Sequence, residues 1–248
     1  SCVTQLIDLS QRRAHSEWIK IAYVKGGQMD IVLTEQAKRK LANELAFNPK
    51  TGELLFSDDA TKRTLITDEL YKTSAGGVRV LGERLGPNRT AKVALGMDGT
   101  LDEVVFRPEE LIGMQLENIK NIAESFLGMG TLKDCVIAVP PYYTDAHRRA
   151  MLHAAPLAGW NVLSLIQEPA ALALQYGVQK RDVLALNTTA PMHVLFVDYG
   201  AFTLQASVAT FSPGHGAMGP KSKNVLGKID MRGGRWDTTV GGHKIDLL

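Results

Sequence analysis

The sequence predicts an α/β fold with mixed sheets flanked by helices, and three observations support this prediction. Short apolar strands separated by glycine-bearing turns fill the first third of the chain, as in β-hairpins. A long amphipathic helix begins at Pro108. Residues 135–166 then run in the order strand, helix, strand within about thirty residues, which is the size of a βαβ unit. The 248 residues suffice for one large or two modest domains.

The N-terminal third is predicted to contain hairpins. Strands at 18–24 and 29–33 flank Lys25-Gly26-Gly27-Gln28, and strands at 91–95 and 103–106 flank Asp98-Gly99, a dipeptide that accepts positive φ angles. Further strands are predicted at 3–9, 41–47 and 53–56, and helical structure within 58–85.

The first long helix has clear boundaries in the sequence. Pro108 suits the first helical position, and Gly128 can end the helix in the left-handed conformation. Apolar residues recur every three or four positions, which predicts that one face lies in the core. These residues are Ile112, Leu116, Ile119, Ala123 and Phe126.

Two more helices are predicted between strands. One has Thr144 as its N-cap and stops at Gly159, with an early end or a kink at Pro156. The other starts at Pro169 and ends at Gly177. The predicted strands of this part are 135–139, 160–166, 192–197, 203–211 and 225–231.

Composition excludes several classes of protein. The 28 basic and 26 acidic side chains give a formal net charge of +2, which is too balanced for a nucleic-acid-binding surface. No apolar run approaches the ~18 residues of a membrane-spanning helix, so no membrane insertion is expected. The six histidines and two cysteines do not follow zinc-site spacing, and Cys2 and Cys135 are interpreted as buried residues of strands.

Two apolar strands end in an aspartate that precedes a turn. They contain Asp8 and Asp198. A turn of small residues lets backbone N–H groups approach a phosphate, while an aspartate at the strand end can hold hydrated Mg²⁺. The alternative is that each aspartate only caps its turn, and for either turn alone this is the simpler interpretation.

Longer motifs favour the phosphate interpretation. The run 139–177, which includes Val139-Pro140-Pro141-Tyr142-Tyr143 and Gln167-Glu168-Pro169, is followed by the Asp198 turn and by Trp236-Asp237-Thr238-Thr239-Val240-Gly241-Gly242. This order resembles the nucleotide-binding domain of the heat-shock protein 70 family over essentially the whole chain. Met29-Asp30-Ile31-Val32-Leu33 and Lys38-Arg39-Lys40 are similar to its large endoplasmic-reticulum branch, the 170 kDa glucose-regulated type.

The resemblance implies an actin-like (ribonuclease H-like) ATPase fold that binds ATP or ADP with Mg²⁺. Residues 1–178 would be lobe I and 179–248 an incomplete lobe II, because the family's nucleotide domain is longer than this chain. Asp8 and Asp198 would face Mg²⁺ through water, and Glu168 would be the catalytic acid. The implied nucleotide-binding residues are Asp8, Ser16, Asp198, Gly200, Thr203, Gly241 and Gly242; the implied interlobe relay is Pro140 and Arg148; and the sequons permit glycosylation at Asn88 and Asn187.

Several family features are replaced. The first turn reads Ser10-Gln11-Arg12-Arg13 instead of glycine and hydroxyl residues, and Ala201-Phe202 replace glycines in the second turn. Gly82 stands where the family has its hydrolytic lysine, and Ala170 replaces a threonine. Because one lost transition-state group costs ~10²–10³ in rate, hydrolysis is expected to be weak or absent.

The resemblance implies a stress-response chaperone of the endoplasmic-reticulum lumen, with the cytoplasm as the alternative location. Such a protein would hold unfolded polypeptides and act as nucleotide exchange factor for a BiP-type lumenal chaperone. Two other functions stay open at this point. One is a scaffold of the same fold that binds no nucleotide, which Phe202 and the Arg12-Arg13 loop favour. The other is an actin-like small-molecule kinase.

Overall fold

The computed structural model contains fourteen strands and three helices of 12 to 20 residues within the part of the chain that it describes. The described residues are 2–5, 18–25, 28–43, 45–47, 53–60, 91–97, 100–128, 130–180, 191–200, 203–212 and 227–242.

The strands are numbered in chain order. They are β1 (Cys2–Gln5), β2 (Trp18–Ile19), β3 (Ile21–Lys25), β4 (Gln28–Ile31), β5 (Leu41–Ala42), β6 (Leu45–Phe47), β7 (Leu54–Phe56), β8 (Ala91–Met97), β9 (Thr100–Phe106), β10 (Asp134–Val139), β11 (Asn161–Gln167), β12 (Met192–Tyr199), β13 (Leu204–Ser212) and β14 (Lys228–Asp237). The helices are α1 (Pro108–Leu127), α2 (Asp145–Leu157) and α3 (Glu168–Gln179).

The strands form one five-stranded sheet, one three-stranded sheet and three two-stranded pairs. The order in the large sheet is β11-β10-β1-β3-β4, and in the smaller sheet it is β12-β13-β14. The pairs are β2–β5, β6–β7 and β8–β9. The hairpins β3–β4 and β8–β9 confirm the predicted antiparallel pairings. This mixture of sheets and helices agrees with the predicted α/β class.

The chain divides into two compact units. Unit 1 comprises Ser1–Ile137 and Tyr143–Leu165, and unit 2 comprises Ala138–Tyr142 and Ile166–Leu248. Helix α3 therefore belongs to unit 2, and the predicted lobe boundary at residue 178 stays a prediction. No helix in the described ranges combines the length and the apolar character that a membrane crossing requires.

The core of unit 1 lies where α1 packs against α2. Four of the five residues of the predicted apolar stripe of α1 are buried, whereas Phe126 at its end is 40% exposed and contacts the ring of Tyr23 edge-on. The prediction for Phe126 was therefore wrong, because the last turn of α1 reaches the surface. Two predicted helix boundaries of unit 1 are confirmed: Gly128 has φ 58°, and the hydroxyl of Thr144 accepts a hydrogen bond from His147 N.

In unit 2, one face of the three-stranded sheet packs against α3. Ala173 on the helix and Ala209 and Phe211 on β13 form its buried centre. Gly177 was predicted to end this helix, and that prediction was wrong. A Cβ at Gly177 would lie 3.2 Å from Ile229 Cδ1 and 3.3 Å from Phe211 Cε1, so the glycine lets the helix approach the sheet and continue to Gln179.

Two further boundaries differ from the predictions. Strand β14 was predicted at 225–231 but runs to Asp237. Its later residues are not a run of apolar side chains, and backbone pairing with β13 keeps them in the strand. Pro156 neither ends α2 early nor breaks it, since it lies in the last turn, and its carbonyl accepts a hydrogen bond from Gly159 N. Cys135 lies in β10 and is buried, as the sequence predicted.

The end of α2 is held by a lysine from α1. Lys120 Nζ donates to the carbonyl oxygens of Ala158 at 3.3 Å and of Gly159 at 3.1 Å. Cations near the last carbonyls of a helix are favourable because of the helix dipole. Gly159 has φ 68°, and a Cβ there would lie 2.9 Å from Lys120 Nζ.

We expect Gly159→Ala to lower the free energy of unfolding by about 1–2 kcal/mol, since the left-handed conformation penalises a Cβ. Urea denaturation would measure this loss. Gly130→Ala is the control, because a Cβ at Gly130 meets no atom within 4 Å and its φ is not in the left-handed range; its effect should stay within about 0.5 kcal/mol. Equal effects of the two substitutions would contradict the role assigned to Gly159.

Candidate functional site

The predicted second phosphate turn lies at the end of the β12–β13 hairpin. Asp198 is the penultimate residue of β12 and is exposed, and Gln205 of β13 lies directly opposite it in the antiparallel register. The turn is closed by a hydrogen bond from Gly200 N to the carbonyl oxygen of Thr203, at 2.8 Å. Thr203 is 3% exposed, so the base of the turn is fixed within unit 2.

A distant part of the chain is hydrogen-bonded to this turn. Gly242 N donates to the carbonyl oxygen of Gly200 at 3.0 Å, and the neighbouring Gly241 is buried. At the start of the same motif, Asp237 Oδ1 accepts hydrogen bonds from both N and Oγ1 of Thr239, at 2.6 Å each. An aspartate that accepts from the backbone two residues later stabilises a turn. The structure thus brings two predicted nucleotide-binding segments together.

Glu168 belongs to the same group of residues. It is the first residue of α3, where an acidic side chain is favoured by the helix dipole. Its Oε2 accepts a hydrogen bond from Gln205 Nε2 at 2.9 Å. Gln205, which contacts the catalytic acid implied by the resemblance, is also the register partner of Asp198 in the sheet.

Packing does not explain the glycine at position 200. A Cβ on Gly200 would lie 3.4 Å from the carbonyl oxygen of Thr203 and 3.8 Å from Thr203 Oγ1, which are ordinary van der Waals distances. Without a side chain, the backbone at Gly200 itself is uncovered by a Cβ. A ligand atom can approach the backbone closely at such a position.

The donor atoms suit a hydrated magnesium ion. Asp198 and Glu168 offer carboxylate oxygens, and Mg²⁺ typically binds one or two carboxylates, keeps several waters and shares phosphate oxygens. Within the described ranges, no three or more His, Cys, Asp or Glu side chains are grouped so that they alone could hold a metal. The residues therefore fit Mg²⁺ that is bound together with a phosphate ligand.

The predicted relay residues lie in different units. Pro140 follows β10, is buried and belongs to unit 2. Arg148 is on α2 in unit 1, and its Nε donates to the carbonyl oxygen of Tyr143 at 3.2 Å. The relay role of both stays a prediction.

Several predicted residues are outside the described part of the chain. Their roles, which include the magnesium-facing role of Asp8, stay predictions. They are Asp8, Ser16, Asn88, Asn187, Ala201 and Phe202.

Sequence reasoning missed Gln205. A signal was available, because Gln205 and Ser207 are polar at alternate positions among the first apolar residues of the strand that follows the turn. Alternation of this kind places both side chains on one face of the sheet. Since Asp198 is also on that face, the two polar residues could have been assigned to the same site.

Comparisons with known proteins find similarity over most of this chain. The family model described as "Hsp70 protein" matches residues 17–248. Hypoxia up-regulated protein 1 of Xenopus laevis is 34% identical over 252 residues, and that of Danio rerio 33% over 248 residues, each covering 94% of this chain. Heat shock 70 kDa protein 4 of Homo sapiens is 39% identical over 145 residues, which is 58% of this chain.

The chain corresponds to a part of these relatives. The matches cover 36% of the Xenopus laevis protein, 24% of the Danio rerio protein and 16% of the Homo sapiens protein. Hsp70 domains have the actin-like ATPase fold and bind ATP or ADP with Mg²⁺. The α/β architecture and the oxygen donors around Gly200 are consistent with both properties. With the family model matching from residue 17 to residue 248, this chain belongs to the Hsp70 family of chaperones.

Proposed function

We propose that this chain is the nucleotide-binding portion of a large chaperone of the endoplasmic-reticulum lumen, which binds Mg-ATP or Mg-ADP with little or no hydrolysis. The whole protein would hold unfolded polypeptides and act as nucleotide exchange factor for a BiP-type chaperone. The proposal of nucleotide binding rests on the hydrogen bond from Gly242 N to the Gly200 carbonyl. It joins two segments that the resemblance implies in phosphate and ribose binding.

In this proposal, each residue of the site has one defined role in binding phosphate, Mg²⁺ or water. The backbone of Gly200 would contact phosphate oxygens, and the Gly200–Thr203 hydrogen bond holds that backbone in place. The exposed carboxylate of Asp198 would hold Mg²⁺ through water. When bound, Mg²⁺ would reduce the repulsion between the phosphates and the acidic side chains. Glu168 would orient water on the same side of the hairpin as Gln205.

Weak hydrolysis is supported by the residues that are absent from the expected positions. Phe202, Ala201, Ala170 and Gly82 replace groups of the family pattern, and each lost transition-state contact costs ~10²–10³ in rate. Binding requires fewer of these contacts than turnover does. An exchange factor acts by contact with its partner, so this role does not depend on turnover.

Location and partners rest on resemblance. The relatives named hypoxia up-regulated protein 1 cover 94% of this chain, which supports the large-branch assignment and, with it, the lumen as the location. The match to heat shock 70 kDa protein 4 keeps the cytoplasm as the alternative. A scaffold without nucleotide is the second candidate function, because Phe202 would crowd a phosphate in the second turn.

We expect calorimetric titration with Mg-ADP to give saturable heat, and Asp198→Asn to weaken binding by about 10- to 100-fold, since a charge-assisted contact is lost. Asp230→Asn is the matched control. Asp230 lies on β14 of the same sheet and pairs with Lys228 at 3.0 Å, so its loss should leave the affinity unchanged. Absence of heat from the unsubstituted protein would favour the scaffold.

The exchange role is tested separately. Adding the full-length protein to a complex of BiP with labelled ADP should accelerate release by about 5- to 150-fold, the usual range for coupling between two binding events. An unfolded polypeptide added alone is the control, because client binding without contact from this protein should not reproduce the effect. Release at the uncatalysed rate would remove the exchange role and leave nucleotide binding unaffected.

A further inference from the structure

Gln205 is a buried amide that contacts one carboxylate and lies opposite the strand residue that bears another. It is 6% exposed, lies opposite Asp198 in the sheet and donates from Nε2 to Glu168 Oε2 at 2.9 Å. We propose that Gln205 is a positioning residue, which orients the Glu168 carboxylate and allows both acids to remain at this turn without a bound cation. The assignment rests on the proposed function for the identity of the ligand, a magnesium-bound nucleotide.

The direction of the hydrogen bond follows from chemistry. An ionised carboxylate only accepts hydrogen bonds, whereas a glutamine amide has a donor end and an acceptor end. Gln205 must therefore turn its NH₂ group towards Glu168. This contact holds one oxygen of Glu168, while α3 fixes the backbone of the same residue, so the carboxylate has little freedom to turn.

The neutral charge of Gln205 matters as much as its donor. Opposite residues of an antiparallel pair have Cβ atoms about 4.5–5.5 Å apart, so the side chain of Gln205 begins close to that of Asp198. A carboxylate at position 205 would face Asp198 across the ladder and Glu168 at hydrogen-bond distance. Three acids in such a group either share protons or bind a divalent cation through their oxygens.

It follows that the site binds a divalent cation only together with the nucleotide. Two carboxylates separated by an amide are a weak site for a free divalent ion, because Mg²⁺ gives up its waters reluctantly. Phosphate oxygens supply the missing negative charge when the nucleotide enters. With Gln205, the site binds a metal ion only when nucleotide is bound. With an acidic residue at this position, the site would bind a metal ion without nucleotide.

The experiment compares thermal unfolding midpoints without nucleotide, in EDTA and in millimolar MgCl₂ or CaCl₂. The wild-type midpoint should be the same in all three solutions. Gln205→Glu should lower the midpoint in EDTA by at least about 2–4 °C, and either cation should restore most of the loss. A Gln205→Glu protein that folds only with a cation present would also support the proposal.

The exchanged pair E168Q/Q205E separates positioning from general stability. It keeps one amide and one carboxylate at the same contact, so its midpoint in EDTA should exceed that of Gln205→Glu and should not respond to cations. Gln205→Asn stays neutral but is one methylene shorter, so its midpoint should fall without any cation response. If the Glu168–Gln205 hydrogen bond were purely structural, the unfolding midpoint of every variant would be the same with and without cations.

Two results would overturn the proposal. One is a wild-type midpoint that rises with Mg²⁺ or Ca²⁺ alone, which needs no variant to fold. The other is a Gln205→Glu protein whose midpoint ignores both cations. Titration with Mg-ADP tests the proposed function independently: no heat from the wild-type protein would remove nucleotide binding, while the cation response of Gln205→Glu would still decide the role of Gln205.

Discussion

The hydrogen bond between Gly242 N and the Gly200 carbonyl depends on the register of the three-stranded sheet. Between Val208 and Ala209 the pairing of β13 with β14 shifts by one residue, so that β14 contains an extra residue there. A one-residue shift in a strand exchanges its two faces. Before the shift Ile229 pairs with Phe211 of the core, and after it Trp236 pairs with Gln205. Because of this bulge, β14 places a residue opposite the core at one end and a residue opposite the site at the other. Residues 241–242, which follow β14, lie next to the turn.

Local patterns in the sequence predicted most of the described elements, because caps and turns act over a few residues. Thr144 and Gly128 need no distant partner to begin or end a helix. Errors arose where packing decides the outcome. Gly177 looks like a helix terminator in isolation, yet it lies inside α3 because Phe211 and Ile229 occupy the space that a side chain would need. These contacts join residues that are more than thirty positions apart, and no local pattern contains them.

The same distinction applies to the site. Glu168, Gly200, Thr203 and Gly242 were predicted individually from the motifs, and the structure connects Gly200 with Thr203 and Gly242 by hydrogen bonds. Gln205 was missed because its role depends on a hydrogen bond with Glu168, which is 37 positions away in the sequence. A motif search tests each position against an expected residue, and Gln205 belongs to no motif that the sequence analysis identified. Only the geometry shows its contact with Glu168.

An amide and a carboxylate at position 205 would differ in their effects on nucleotide binding and on turnover. With an amide at position 205 there are fewer negative charges near the turn, so the phosphates of a nucleotide meet less repulsion. Turnover depends on groups that stabilise charge only in the transition state, and an amide supplies less of this stabilisation than a carboxylate that orients water or metal. The Glu168–Gln205 contact therefore fits the proposed binding of nucleotide with little or no hydrolysis.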